Sequence, residues 1–158
     1  MNVPPSPLNP HTRDLRKGRV SESGQAYRLT AVTHKRRPIF SDWPIGRLLV
    51  EELCAAEKAG YAQSQAWVVM SDHLHWLVTM QTGSISKLMQ RIKGHSAISI
   101  NRVLGIHGQL WLKGFHGRAI RKEEDLQAIA RYVIANPLRA GLVNKIGDYP
   151  LWDVIWVK

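Results

Sequence analysis

At 158 residues, with 44% hydrophobic residues and six Trp, the chain has apolar material for one folded core and too little length for two. Its 22 Lys and Arg against 12 Asp and Glu leave a net charge of +10, which points to a polyanionic partner. No run reaches the ~20 uncharged apolar residues of a bilayer span, and the lone Cys54 excludes an intrachain disulfide or a thiolate metal cluster. The start of the chain lacks the apolar segment of a secretory signal, so a reducing, cytoplasmic setting is expected.

Residues 1–12 (MNVPPSPLNPHT) hold four Pro and little that packs, so residues 1–15 are expected to be a flexible leader to a single domain over 16–158. A basic cluster follows, with Arg13, Arg16, Lys17, Arg19, Arg28, Lys35, Arg36 and Arg37 set against only Asp14 and Glu22. Within it Tyr27–Val32 (YRLTAV) alternates and predicts a first strand, closed by the loop THKRRP. Ile45, Leu48, Leu49, Leu53 and Ala56 recur at helical spacing and predict a helix over 45–59. Ala66–Met70 (AWVVM) and His73–Met80 (HLHWLVTM) read as two strands joined by a tight turn at Ser71-Asp72.

Ser84 suits the N-cap of a helix reaching about Leu104, whose Ile85, Leu88, Met89, Ile92, Ile100 and Val103 form one stripe and leave Lys87 and Arg91 off it. Gly105 and Gly108 break that helix, and Phe115–Arg121 (FHGRAIR) reads as a fourth strand. From His73 to Lys122 there is no acidic residue in fifty positions, the pattern of a surface that neutralises phosphates. A last helix is expected to begin at Lys122-Glu123-Glu124-Asp125, run through Leu126, Ile129, Ala130 and Val133, and stop at Pro137. The order β-α-β-β-α-β plus a helix is an α+β, ferredoxin-like arrangement: an antiparallel sheet with helices on one face and a C-terminal helix carrying Tyr132. The tail, with Trp152 and Trp156, is expected to pack back on the domain.

Residues two apart on a strand share a face, so His73 and His75 project together while Leu74, Trp76 and Val78 can face the core. Such a pair is half of a metal site, or a surface or hydrogen-bonded core pair; its spacing does not choose. Zinc-hydrolase patterns are absent: there is no HExxH, no CxxC, and the next histidines are His95, His107 and His116. A second H-x-[ST] element for a two-histidine phosphodiesterase is missing too. On the last helix, Tyr132 and Asn136 stand four apart and share a face; from the pattern alone Tyr132 reads first as a core aromatic at the edge of the apolar stripe.

His-Leu-His at 73–75, Tyr132 late on a helix, the run Asn-Pro-Leu-Arg-Ala-Gly-Leu-Val at 136–143, the Trp111–Arg121 stretch, and Gly18-Arg19-Val20 ahead of Tyr27-Arg28-Leu29-Thr30 together resemble the single-tyrosine HUH transposases. The branch resembled most is the REP-associated tyrosine transposases, over about residues 16–145. The resemblance implies that His73 and His75 hold Mg²⁺ or Mn²⁺ with a third ligand at Asn136, where insertion-sequence relatives carry the longer Gln. It also implies that Tyr132 attacks a phosphodiester of single-stranded DNA, forming a 5′-phosphotyrosine and a free 3′-OH. The implied substrates are strands with small palindromic (REP-like) hairpins, and the implied state is a monomer. Phosphate contacts are expected from Lys17, Arg19, Arg28, Lys35, Arg36, Arg37, Lys87 and Arg91. Trp43, Trp76 and Trp111 could stack bases or fill the core. The shortened Asn136 keeps open a non-cleaving, domesticated hairpin binder of DNA or RNA, and the fold class keeps open an RNA-binding domain.

Overall fold

A computed structural model describes residues 23–122 and 124–155. The leader, Lys17, Arg19 and Trp156 lie outside the described residues. In chain order the elements are β1 (Ala26–Val32), α1 (Trp43–Lys58), β2 (Ala62–Val69), β3 (His73–Met80), α2 (Ile85–Leu104), β4 (His116–Ala119), α3 (Leu126–Ile134), the single turn α4 (Asn136–Arg139) and β5 (Trp152–Val154). One five-stranded sheet has the order β4-β1-β3-β2-β5, antiparallel at each pairing. Its first four strands have the ferredoxin-like order, with β3 at the centre.

Alternation along β3 sorts the sheet into two faces. Leu74, Trp76, Val78 and Met80 point to one of them and are buried with Leu29 of β1, Leu49 and Leu53 of α1, and Ile85, Met89 and Ile92 of α2. Each such side chain removed from water is worth roughly 1.5–3 kcal/mol, so this layer is the main cohesive element. Trp76 can sit at its centre because its indole N–H donates to Ser64 Oγ at 2.8 Å. The expected Ser84 cap is present, accepting from the Lys87 N–H at 3.2 Å, and α2 ends on Gly105 at φ 68, a left-handed position that suits glycine.

His73, His75, Leu77 and Thr79 point to the opposite face. There Leu77, Ala26, Ala66 and Ile120 are buried beneath Ala130 and Ile134 of α3 and Val154 of β5. Helices α1 and α2 therefore share one face, and the tyrosine-bearing helix covers part of the other.

Several boundaries differ from the sequence reading. Strand β2 starts at Ala62 rather than Ala66, because polar Gln63, Ser64 and Gln65 hide the pattern and the register shifts between Ser64 and Ala66. Strand β4 is confined to His116–Ala119. Helix α3 begins at Leu126, later than expected: the Glu124 carboxylate goes to Arg118 at 3.0 and 3.2 Å and to the Arg121 N–H at 2.9 Å, leaving Asp125 to cap Gln127 and Ala128. The helix also ends earlier, at Ile134, and Pro137 opens α4 instead of stopping α3; in a first turn the missing N–H costs nothing. Trp76 and Trp111 are core residues, with Trp111 Nε1 donating to Ser96 at 3.0 Å, so neither is open to a base, whereas Trp43 is 52% exposed. No helix among the described residues is long and apolar enough to cross a membrane.

The tail docks by adding β5 beside β2 and by burying Tyr149, whose hydroxyl donates to the Val69 carbonyl at 2.6 Å. Tyr149→Phe should cost about 1 kcal/mol, read as a lower urea midpoint at neutral pH. Burial raises the Tyr149 pKa, so the folded state holds its proton longer than the unfolded chain. Stability from this group is complete below the ordinary phenol value and drains away as pH climbs through the raised one. The Phe variant should therefore lose less stability than the parent between neutral and strongly alkaline pH.

Candidate functional site

The β1–β3 register sets Arg28 opposite Leu77, Thr30 opposite His75 and Val32 opposite His73, all on the face away from the main core. Strand β4 extends it, pairing Arg118 with Arg28 and His116 with Thr30. The face thus carries two imidazoles on the central strand, ringed by basic and hydroxyl groups from its neighbours.

The imidazoles of His73 and His75 meet edge to face, with centroids 4.8 Å apart and planes at 89°. His73 Nδ1 is 2.6 Å from Asp72 Oδ1. A carboxylate only accepts, so His73 Nδ1 is the donor and Nε2 is the nitrogen turned away from this bond. Burial works against the charge on Asp72, but the hydrogen bonds and charges of His73 and Arg36 outweigh it and hold the carboxyl below its usual range. Arg36 Nη1 lies 3.3 Å from Asp72 Oδ2, and the Thr33 N–H donates to the Asp72 carbonyl at 2.9 Å, pinning the turn.

His75 Nδ1 is 3.1 Å from Thr30 Oγ1. Burial first, then the charges of His73, Arg28 and Arg139, push the His75 pKa down to about 4. At neutral pH it is an uncharged base, the form that can donate a lone pair.

Tyr132 is 52% exposed, so it is not the core aromatic the stripe allowed. Two guanidiniums hold its ring: Arg139 Cζ is 3.8 Å and Arg28 Cζ 5.2 Å from the ring centroid. Arg139 also donates to the Tyr132 carbonyl at 2.7 Å. Burial lowers the Arg28 pKa, Tyr132 pulls it back up, and Arg118 and Arg139 add to the lowering. Because Arg28 and Arg139 act on His75 and touch Tyr132, the phenol and the imidazoles belong to one neighbourhood.

Asn136 spends its amide N–H on the Val133 carbonyl at 2.7 Å, which leaves Oδ1 as an acceptor; it does not hydrogen-bond to either imidazole. Among the described residues no three His, Cys, Asp or Glu side chains are grouped to hold a metal. The donors that fit a divalent cation here are the Nε2 atoms of His73 and His75, each with its Nδ1 already engaged, and an amide oxygen. Two imidazoles with oxygen donors suit Mn²⁺ and tolerate Mg²⁺.

The other expected phosphate contacts divide. Lys35, Arg36 and Arg37 lie in the loop stapled to the Ser71–Asp72 turn, where Arg37 Nη2 donates to the Gln109 carbonyl at 2.9 Å. Lys87 and Arg91 are on α2, behind the sheet; Arg91 stacks over Tyr61 at 5.0 Å, and both line a cavity of about 450 Å³ beside Thr82 and Ser84. They belong to a separate surface. Asp72, Thr30 and Arg139 escaped the sequence reading as site residues, though Arg139 stands two helical turns beyond Tyr132.

On this antiparallel sheet a histidine pair and a tyrosine share one basic face, and the family comparison places the chain among the transposases. It belongs to the IS200-like transposase family, whose model matches residues 21–136. The REP-associated tyrosine transposase of Escherichia coli (strain K12) is 29% identical over 87 residues, 54% of this chain and half the length of that relative. The fold is similar to that of a REP-associated tyrosine transposase solved with a REP hairpin, at a TM-score of 0.69 and 22% identity over 85% of this chain and 79% of the other. A protein from Deinococcus radiodurans R1 matches at a TM-score of 0.50 and 21% identity, over 77% of this chain and 96% of its own.

Proposed function

We propose that this protein nicks and rejoins single-stranded DNA at palindromic hairpins through Tyr132. The observation that carries this reading is the shared neighbourhood of Tyr132 and the paired imidazoles, bridged by Arg28 and Arg139 on a chain of charge +10. Arg28 and Arg139 steady the phenol and offer positive charge where a phosphate must approach it. Tyr132 Oη attacks phosphorus: the Oη–P bond forms, the P–O3′ bond breaks, the phenol proton leaves, and the departing 3′ oxygen takes up a proton. The 5′-phosphotyrosine conserves the bond energy, so the reverse attack by a 3′-OH joins strands without ATP. His73 and His75, with Asn136 Oδ1, would hold Mg²⁺ or Mn²⁺. That cation supplies charge to offset the non-bridging oxygens. Asp72 keeps the His73 proton on Nδ1 and its ligating nitrogen bare.

The substrate follows the relatives, one of which was solved on a REP hairpin; a monomer working in the cytoplasm, at the nucleoid, completes the proposed reading. The test is incubation of a hairpin-bearing single strand, labelled 3′ of its cleavage point, with Mn²⁺ or Mg²⁺. A labelled protein band surviving denaturation is expected, and it should disappear with EDTA. Hairpin binding without any adduct under either cation would instead establish the second reading, a non-cleaving hairpin binder. That reading is favoured by one detail, the donation of the Asn136 amide to the Val133 carbonyl of α3.

A further inference from the structure

Beside the imidazole pair, beyond Thr30, lies a groove of about 370 Å³ between the loop after β1 and the loop before β4. Its floor is Thr30 and Val32; its rims carry Lys35 and Arg36 on one side, Lys113 and His116 on the other. We infer that this groove is the subsite for the nucleotide of the single strand next to the scissile phosphate, its phosphate held between Lys35 and Lys113.

Four observations meet there. Thr30 is shared: its Oγ1 is 3.1 Å from His75 Nδ1 and the same residue lines the groove, so the groove adjoins the imidazole pair. Lys35 and Lys113 have no acidic partner among the described residues, and Arg36 is paired only with Asp72 while its side chain stays 67% exposed. Both walls are tied down before any ligand arrives. The His34 N–H donates to the Leu110 carbonyl at 2.9 Å and the Leu112 N–H to the Val32 carbonyl at 2.8 Å. Lys93 Nζ reaches the carbonyls of Leu112 and Gly114 at 2.8 and 2.6 Å, engaging acceptors on either side of Lys113.

The fourth observation is backbone strain. Lys35 and Arg36 stand at φ 57 and 50, left-handed values that side-chain-bearing residues avoid. A loop that only had to turn would use Gly or Asn; one that must present two cations on the same rim tolerates the strain. The groove thus has fixed walls, unneutralised charge and an apolar strip at Val32 and Phe115 against which a sugar or base can lie.

The inference rests on the proposed single-stranded substrate but not on cleavage, so it is tested without metal. Tyr132→Phe protein in EDTA is titrated with a fluorescent hairpin carrying a single-stranded flank, and with the same hairpin lacking the flank. The test variant combines Lys35→Gly with Lys113→Ala; the glycine removes a charge and relieves the left-handed backbone, so lost binding cannot reflect unfolding. The control is Lys58→Ala, at the end of α1. Expected are a loss of ~10-fold for the flanked hairpin, a salt dependence shallower by about 1.4 in slope for two lost contacts, and under twofold change for the flankless one. Equal affinity of test and control variants for the flanked hairpin, or equal losses on both hairpins, would overturn the assignment. Binding losses here with no adduct in the cleavage assay would reject the proposed chemistry and keep the subsite.

Discussion

Tyr132→Phe should reduce strand cleavage by at least about 10³-fold while hairpin binding stays within about twofold. The substitution deletes one oxygen from a ring that is 52% exposed, and the stacking of Arg139 at 3.8 Å from the ring centroid does not need that oxygen. Stability should consequently move by less than about 0.5 kcal/mol. On the proposed mechanism the loss is chemical: without Oη no bond to phosphorus would form, and the remaining charges would only hold the strand. A denaturing gel of a labelled hairpin strand reads the rate, and filter binding reads the affinity. Cleavage at parental rate in the Phe variant would transfer the nucleophile elsewhere. Arg139→Ala is the companion test, since it frees the ring and removes charge at once, and should slow adduct formation more than it weakens binding.

The second large effect is expected on cation affinity. Removing both rings, as His73→Ala with His75→Ala, should abolish Mn²⁺ binding detected by electron paramagnetic resonance of the free ion. Asp72→Ala should weaken it by about 10–100-fold although Asp72 is not itself a ligand, because the 2.6 Å contact to Nδ1 selects the tautomer that bares Nε2. Imidazole ¹⁵N spectra of the metal-free protein provide an independent reading: His73 should be protonated at Nδ1 in the parent and redistribute between nitrogens in the Ala variant. Arg36→Ala should do far less, as its guanidinium is 67% exposed and such pairs contribute at most ~1 kcal/mol. Unchanged Mn²⁺ affinity after loss of both rings would dismiss the imidazoles as ligands.

The placement of the candidate site residues on strand and helix was legible because it depends on short-range periodicity. A period of two puts His73 and His75 on one face of β3 and Trp76 on the other, and both placements follow from the alternation alone. Ser84 as a cap and Tyr132 on a helix are equally local. Misreadings arose where two local signals competed for one residue. Glu124 looked like a first-turn acid until Arg118 of β4 claimed it, which moved the start of α3 to Leu126. Pro137 looked like a stop, yet it opens a further turn because Ala135 had already broken the helix.

What the amino-acid order determined by itself is the strand and helix menu, the pairing of the imidazoles, and the basic character of the chain, all of which follow from neighbours within a few positions. Tertiary structure alone decided that Thr30, 45 residues away, would hydrogen-bond His75, and that Arg28, from a strand near the other end of the chain, would meet Arg139 on the Tyr132 ring. Those contacts depend on the β1–β3 register and on the seating of α3 over Leu77 and Ala66. Register is a choice made by the whole buried face at once, since a one-residue slip would turn every side chain of β1 to the wrong side.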